Sequence, residues 1–343
     1  MKLFTTSTVL SRFGPGATIP TKVLASGTID GHGVLHGSLY LKGGGDPALG
    51  TPTFYNRFLG GVGTDLYDLT RQIRSSGLTA VTGRLYADDD VFDRRRGVAD
   101  SGYATSPYIG PLSGLSLNSG YTTAAAASFA SDPAKVAAST LLSSLRSSGI
   151  SIPRGTALGD ADSTRTETIA VVHSPTIDSL VNATDVFSNN FFAEMLIKLL
   201  GAEFGGRGST AAGARVVEQF ARSKGTGVHA VDGSGLTRSN RASPMQVVRL
   251  LDAMRASPYG EDFVSDLALA GHEGTVASRM HGTAAEGRCR LKTGTLTGVS
   301  NLSGYCFNAD GHEEIFSILM GSAGDIGFAH TEQDLIAASI AAY

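Results

Sequence analysis

The chain has two cysteines in 343 residues, Cys289 and Cys306, with no Cys-x-x-Cys pair and no zinc-spaced histidine set. That removes a structural zinc site and a redox motif from consideration. Charged residues are sparse at 17%, and the formal net charge is −3 with no basic block. A nucleic-acid binder needs a positive face, so nucleic acid is not an expected partner. No apolar run approaches the 18 or more residues of a membrane span. The opening Lys2-Leu3-Phe4, followed by a Thr/Ser-rich stretch to Arg12, is too short and polar for a signal peptide. Gly-x-Ser-x-Gly is absent, which disfavours an α/β-hydrolase. His272-Glu273 and His312-Glu313 lack the second histidine of a zincin. Gly43-Gly44-Gly45 runs into Asp46-Pro47 where a phosphate cradle would need Lys-Ser/Thr and a helix. No cofactor and no metal are expected.

Against these absences stand 41% hydrophobic residues, enough for a substantial core, and a length that favours two structural units. Residues 1 to 14 read as a helix stopped by Gly14-Pro15-Gly16, and residues 22 to 49 as strands separated by glycine-rich turns. Helices are expected over about 65–76 and 133–148, with a strand at 80–87 between them. Ser174 with Pro175 reads as the N-cap and first turn of a helix reaching about Asn182. Helical spacing follows at 191–200, 209–224, 244–256 and 332–342, and strands are expected at 290–296, 302–308 and 314–321.

The chemistry concentrates in two short motifs. Lys292-Thr293-Gly294, with Thr295 behind it, puts a cation, a hydroxyl and a bare backbone in succession on a strand. Such an edge can hold a carboxylate by charge and hydrogen bond while an extended ligand lies against the glycine. Ser188-Asn189-Asn190 stands about a hundred residues upstream, just before the apolar run 191–200; Ser188 there also reads as a plain helix N-cap. Ser-x-Asn and Lys-Thr-Gly are two of the three signatures of penicillin-binding proteins and β-lactamases. The third, Ser-x-x-Lys, is missing. The residues three before Lys22, Lys42, Lys135, Lys198, Lys224 and Lys292 are Ile19, Leu39, Asp132, Met195, Ala221 and Cys289, and Lys2 has none.

Longer blocks in the same order carry a family resemblance. Met1-Lys2-Leu3-Phe4-Thr5-Thr6 resembles the continuation of a Ser-x-Met-Lys helix, and Leu39-Tyr40-Leu41-Lys42-Gly43-Gly44-Gly45-Asp46-Pro47 a Leu-Tyr-Leu-x-Gly-x-Gly-Asp-Pro block. Ser174-Pro175, Ala193-Glu194-Met195-Leu196, Asp232-Gly233-Ser234-Gly235-Leu236-Thr237-Arg238 and Lys292-Thr293-Gly294-Thr295-Leu296 follow. Together they are similar to the penicillin-binding protein 4 type, the class C D-alanyl-D-alanine carboxypeptidase/endopeptidases. Asn189 departs from that pattern, where Asp is usual.

The resemblance implies a mixed α+β fold. A β-lactamase/transpeptidase-like domain, an antiparallel sheet flanked by helices, would take 1–17 and 169–343, with a β-rich domain inserted at 18–168. It implies a peptidoglycan stem peptide ending in D-Ala-D-Ala as substrate, β-lactams as inhibitors, and an extracytoplasmic place. By the motif's spacing the nucleophilic serine stands two residues before Met1, so the chain as written lacks it and is expected to be inactive. Lys2 would be the general base, Ser188 the proton relay, Asn190 the group that orients Lys2, and the Thr295 N–H half of an oxyanion hole. Lys292, Thr293 and Gly294 would bind substrate. Two other readings compete: a non-catalytic peptidoglycan-binding module, and a β-lactamase-like hydrolase or esterase, which the long segment before Ser188 disfavours. Cys289 and Cys306 flank the Lys-Thr-Gly hairpin and are either bridged or two buried free thiols.

Overall fold

A computed structural model describes all the residues Met1–Tyr343, and they divide into two compact units. One comprises Met1–Ala17, Ile177–Ala193 and Gly213–Tyr343; the other comprises Thr18–Thr176 and Glu194–Ala212. No helix is long and apolar enough to cross a membrane.

The first unit is built on an antiparallel sheet in the order Glu313–Gly321, Val299–Phe307, Cys289–Leu296, Ala268–Leu269. Side chains alternate across it. Cys289, Leu291, Leu302 and Cys306 pack with Phe316 and with Ala337 and Ala341 of the closing helix Ile326–Ala342. Lys292 has the opposite parity and faces away from that cluster. Its cross-strand partner is Ser303, and two residues on, the buried Tyr305 gives its hydroxyl to the Leu251 carbonyl at 2.7 Å. Leu251 belongs to the helix Pro244–Arg255, which starts on a capping box: Ser243 Oγ accepts from the Gln246 N–H while the Gln246 side chain accepts from the Ser243 N–H. The lysine is thereby on the inner, helix-covered side of the sheet. Cys289 and Cys306 lie opposite each other in register, with Cα atoms 4.1 Å apart, and are bridged.

The helix Lys2–Phe13 is buried over most of its length, from Lys2 through Leu10, and packs against the helix Ile177–Val186. That second helix starts later than the sequence suggests. Ser174 is not its N-cap: the Ser174 hydroxyl accepts from the Ile19 N–H at 2.9 Å and donates to the Pro175 carbonyl at 2.6 Å. A side chain committed to a neighbouring strand is not available to cap, and the helix begins only at Ile177.

The second unit holds a six-stranded mixed sheet with the path Thr156–Leu158, Leu85–Asp88, Val34–Lys42, Pro20–Ile29, Glu167–His173, and Ala80–Val81 paired to Val34–Lys42 off that path. Two helices cover it, Tyr67–Ser75 and Pro133–Ser147, the latter capped by Asp132. Leu69, Ile73, Ala137, Leu141 and Leu145 from those helices meet Val23, Leu35, Leu39, Leu41 and Leu85 of the sheet in one core. The short helix Pro52–Phe58 has no counterpart in the sequence reading. The glycines before Asp46 serve packing: a Cβ on Gly43 would lie 2.1 Å from the Gly114 carbonyl oxygen and one on Gly44 2.2 Å from that of Pro20. No side chain fits there.

Candidate active site

Lys2 opens a helix buried from Lys2 through Leu10, and the residue is 7% exposed. The ammonium is held from two sides, donating to Asn190 Oδ1 at 2.6 Å and to the Ser234 carbonyl at 2.8 Å. The second acceptor is presented by a tightly tied loop. The buried Asp232 carboxylate accepts from the N–H groups of Gly235 (2.8 Å) and Thr237 (2.6 Å) and from the Asn240 amide (2.9 Å). The Thr5 hydroxyl, one turn along from Lys2, donates to the Gly233 carbonyl at 3.0 Å. That loop aims a carbonyl at the lysine.

Ser188 and Asn190 stand in the turn between two helices, Ile177–Val186 and Asn190–Phe204. Ser188 has φ 55°, a left-handed conformation that costs a non-glycine residue energy and that clusters at functional sites. The helix cap is made by its neighbour: Asn189 Oδ1 accepts from the Phe192 N–H at 3.1 Å. Ser188 is therefore free of capping duty, and its Oγ accepts from Lys292 Nζ at 3.0 Å. The bland reading of Ser188 as an N-cap is overturned.

Lys292 is 5% exposed and also donates to the Thr293 carbonyl at 2.9 Å. Burial, with the Lys2 charge close by, lowers its ammonium to about 7, against the opposing pull of Asp185. Thr293 gives its hydroxyl to Thr275 Oγ1 at 2.7 Å. The strand carrying these residues has an open edge. Ala268–Leu269 pairs only with Arg290 and Leu291, so 292–296 have a strand neighbour on one side alone. An extended peptide can add itself to such an edge. A Cβ built on Gly294 meets nothing nearer than Asn301 Nδ2 at 3.4 Å, and the backbone there is not left-handed. The fold would accept alanine at 294.

Lys2, Ser188, Asn190, Lys292, Thr293, Gly294 and Thr295 all line one cavity of about 490 Å³. The structure brings every candidate residue of the sequence reading together. Ser188 is bonded to Lys292, however, and Lys2 to Asn190. The sequence reading missed Thr275, and it gave the Asp232 loop, Ser234 included, no catalytic step, although the resemblance puts that loop near the site. An Asp-Gly-Ser-Gly run does signal a tight turn, but nothing in it says which side chain the turn faces. No three His, Cys, Asp or Glu side chains are grouped so as to hold a metal ion.

The model of the D-Ala-D-Ala carboxypeptidase 3 (S13) family matches residues 1–131 and 122–338. A D-alanyl-D-alanine carboxypeptidase of an Actinomadura species is 31% identical over 425 aligned positions, taking in 100% of this chain and 76% of the relative. Penicillin-binding protein 4 of Haemophilus influenzae superposes with a TM-score of 0.82 at 19% identity, covering 100% of this chain and 90% of the other. A predatory endopeptidase of Bdellovibrio bacteriovorus superposes with a TM-score of 0.59 at 18% identity, covering 99% and 84%. At those identities the two structures speak to the fold. With motifs, family model and curated relative all in accord, this chain belongs to the D-Ala-D-Ala carboxypeptidase 3 (S13) family.

Proposed function

We propose that this site is the machinery of a serine-type D-Ala-D-Ala carboxypeptidase with endopeptidase capacity, acting on peptidoglycan stem peptides through an acyl-enzyme. The observation that carries it is the enclosure of Lys2, Ser188, Asn190 and Lys292 in one cavity along an open strand edge. In the proposed cycle the serine that the motif places three residues before Lys2 attacks the carbonyl of the penultimate D-Ala. Its proton passes to the neutral amine of Lys2, which Asn190 and the Ser234 carbonyl hold in place. The C–N bond breaks, Ser188 relays the proton to the departing D-Ala amine, and an ester remains. Water then attacks that ester, with Lys2 again the base, and frees the acid and the serine. Lys292 as ammonium and Thr293 as hydroxyl hold the terminal carboxylate. The Thr295 N–H, with that of the serine, supports the oxyanion, worth about 3 kcal/mol per donor. Attack at a cross-link in place of the terminal residue gives the endopeptidase. The Cys289–Cys306 bridge fits an oxidising compartment, and the proposed place is extracytoplasmic. Residues 18–168 are read as a module inserted into the catalytic domain.

Fluorescent penicillin tests this directly. The chain as written takes no covalent label; the same chain extended at its N-terminus to supply Ser-x-Met-Lys takes one, at that serine. Labelling of the unextended chain at a serine of its own, or none after extension, would sink the mechanism; the second result would leave a binding module as the function.

Gly294→Ala separates substrate fit from folding. Because the protein leaves room for the methyl group, stability changes by only about 0.5 kcal/mol. An extended substrate pressed against the strand meets that methyl, and overpacking of about 1–3 kcal/mol lowers acylation by roughly 10- to 100-fold. Thermal melts and acylation rates of the extended protein check both halves.

A further inference from the structure

The helix Ile177–Val186 carries an acid that the proposed cycle does not use. Asp185, one helical turn before Ser188, is 0% exposed, and neither carboxylate oxygen has a hydrogen-bond partner. The Thr6 hydroxyl beside it gives its proton to the Lys2 carbonyl at 2.8 Å. An acid so placed is costly unless charge compensates it. The compensation is at hand. Burial pushes the Asp185 carboxyl up, and Lys292 on its strand, the Thr6 hydroxyl and Lys2 on the N-terminal helix pull the other way, toward the ionised form, with the balance on the raised side. On the other side lie acids. Asp266, which follows the helix Gly260–Ser265, interacts unfavourably with Asp178, Asp185 and Asp262.

We propose that Asp185 is a positioning residue of this site: its buried, ionised carboxylate is the shared counter-charge of Lys2 and Lys292 and fixes the pH range in which one lysine is neutral while the other stays an ammonium. The assignment rests on the reading of the cavity given above. Two ammonium groups in one desolvated pocket repel, and an acid that attracts both lessens that repulsion without forming a hydrogen bond that would immobilise either amine. The neighbouring Asp266 is no rival for that role. Burial, with Asp178 and Asp185 next in weight, pushes Asp266 up to about 9, so Asp266 keeps its proton at neutral pH. Asp178 is likewise raised, by burial and by Asp262.

The sign follows from the charge. Removing a nearby negative group favours the neutral amine, so Asp185→Asn moves the Lys292 titration downward from about 7. The test is NMR titration of the ¹³Cε signals of lysine-labelled chain, with Lys292 assigned by its loss in Lys292→Arg. Expected is a drop of about one pH unit or more in Asp185→Asn, and none in Asp266→Asn, where an amide replaces an already neutral acid. An unmoved midpoint in folded Asp185→Asn, or equal shifts in both variants, overturns the proposal. Should Asp185→Asn not fold, ¹³C-carboxyl titration of the unaltered chain decides: Asp185 ionised at pH 7 supports the assignment, and Asp185 protonated there defeats it. This readout needs no acylation. It stands or falls separately from penicillin labelling, which judges the reading of the site itself.

Discussion

Replacing Lys2 by alanine in the protein that carries the motif serine lowers the rate of penicillin acylation by about 10²- to 10⁴-fold, the range general-base catalysis supplies. The Lys2 amine is buried at the head of the helix that the motif's serine would precede, with Lys292 close by. Alanine also empties a space in which Asn190 and the Ser234 carbonyl would lose their donor. Arginine separates the two effects. It keeps a cation and donors for both acceptors, yet cannot give up its proton to act as base. Lys2→Arg is therefore expected to be as slow as Lys2→Ala while melting closer to the parent. At Lys292 the demand is for a charge that meets a carboxylate, so Lys292→Arg should keep part of its activity where Lys292→Ala keeps little. Rates measured at saturating and limiting penicillin, alongside melting curves, check these outcomes. If Lys2→Arg retained the parental rate, Lys2 would be a structural cation and another base would have to be found.

What made this site readable in the sequence was the locality of its motifs. Lys292, Thr293 and Gly294 are adjacent on one strand, and Ser188 and Asn190 share one turn, so each triplet reports its own geometry. Their meeting is another matter: a strand near 292, a turn near 188 and a helix starting at Lys2 converge only through the packing of the first unit. Their order along the chain, and the resemblance it carries, supplied that link. Ser188 shows the limit of local reading. A serine just before a helix fits a cap, and only its left-handed φ and the rival cap from Asn189 give it another task. Ser174 errs the other way, since its cap-like sequence was claimed by the Ile19 N–H. Asp185 is harder still. It lies in a stretch that mixes apolar and polar residues evenly, where an acid ordinarily faces solvent, and nothing local says that this one is buried.

Lys198→Ala is expected to cost the second unit about 3–5 kcal/mol, the range found when one partner of a buried ion pair is removed. The Lys198 side chain is 0% exposed. It donates to the Asp93 carboxylate and to the Arg95 carbonyl at 2.9 Å, with the Phe92 ring 5.9 Å from its charge. Burial lowers its ammonium and Asp93 pulls it back up, the balance remaining on the lowered side. The pair fixes a loop with little other regular structure. Asp93 also gives its N–H to the Gly208 carbonyl at 2.8 Å, and nearby Arg96 donates to Asp89 at 3.0 Å and to the Leu112 carbonyl at 2.9 Å. Without the lysine the Asp93 carboxylate stays largely buried, at 12% exposure, and two acceptors lose their donor. For a unit of this size the loss corresponds to a fall in melting temperature of roughly 10 °C. Lys198→Met with Asp93→Leu should recover much of it, because two apolar side chains carry no desolvation penalty. A single variant as stable as the parent would mean that water reaches the pair and screens it, and that the apolar walls around 194–212 hold this loop without help from charge.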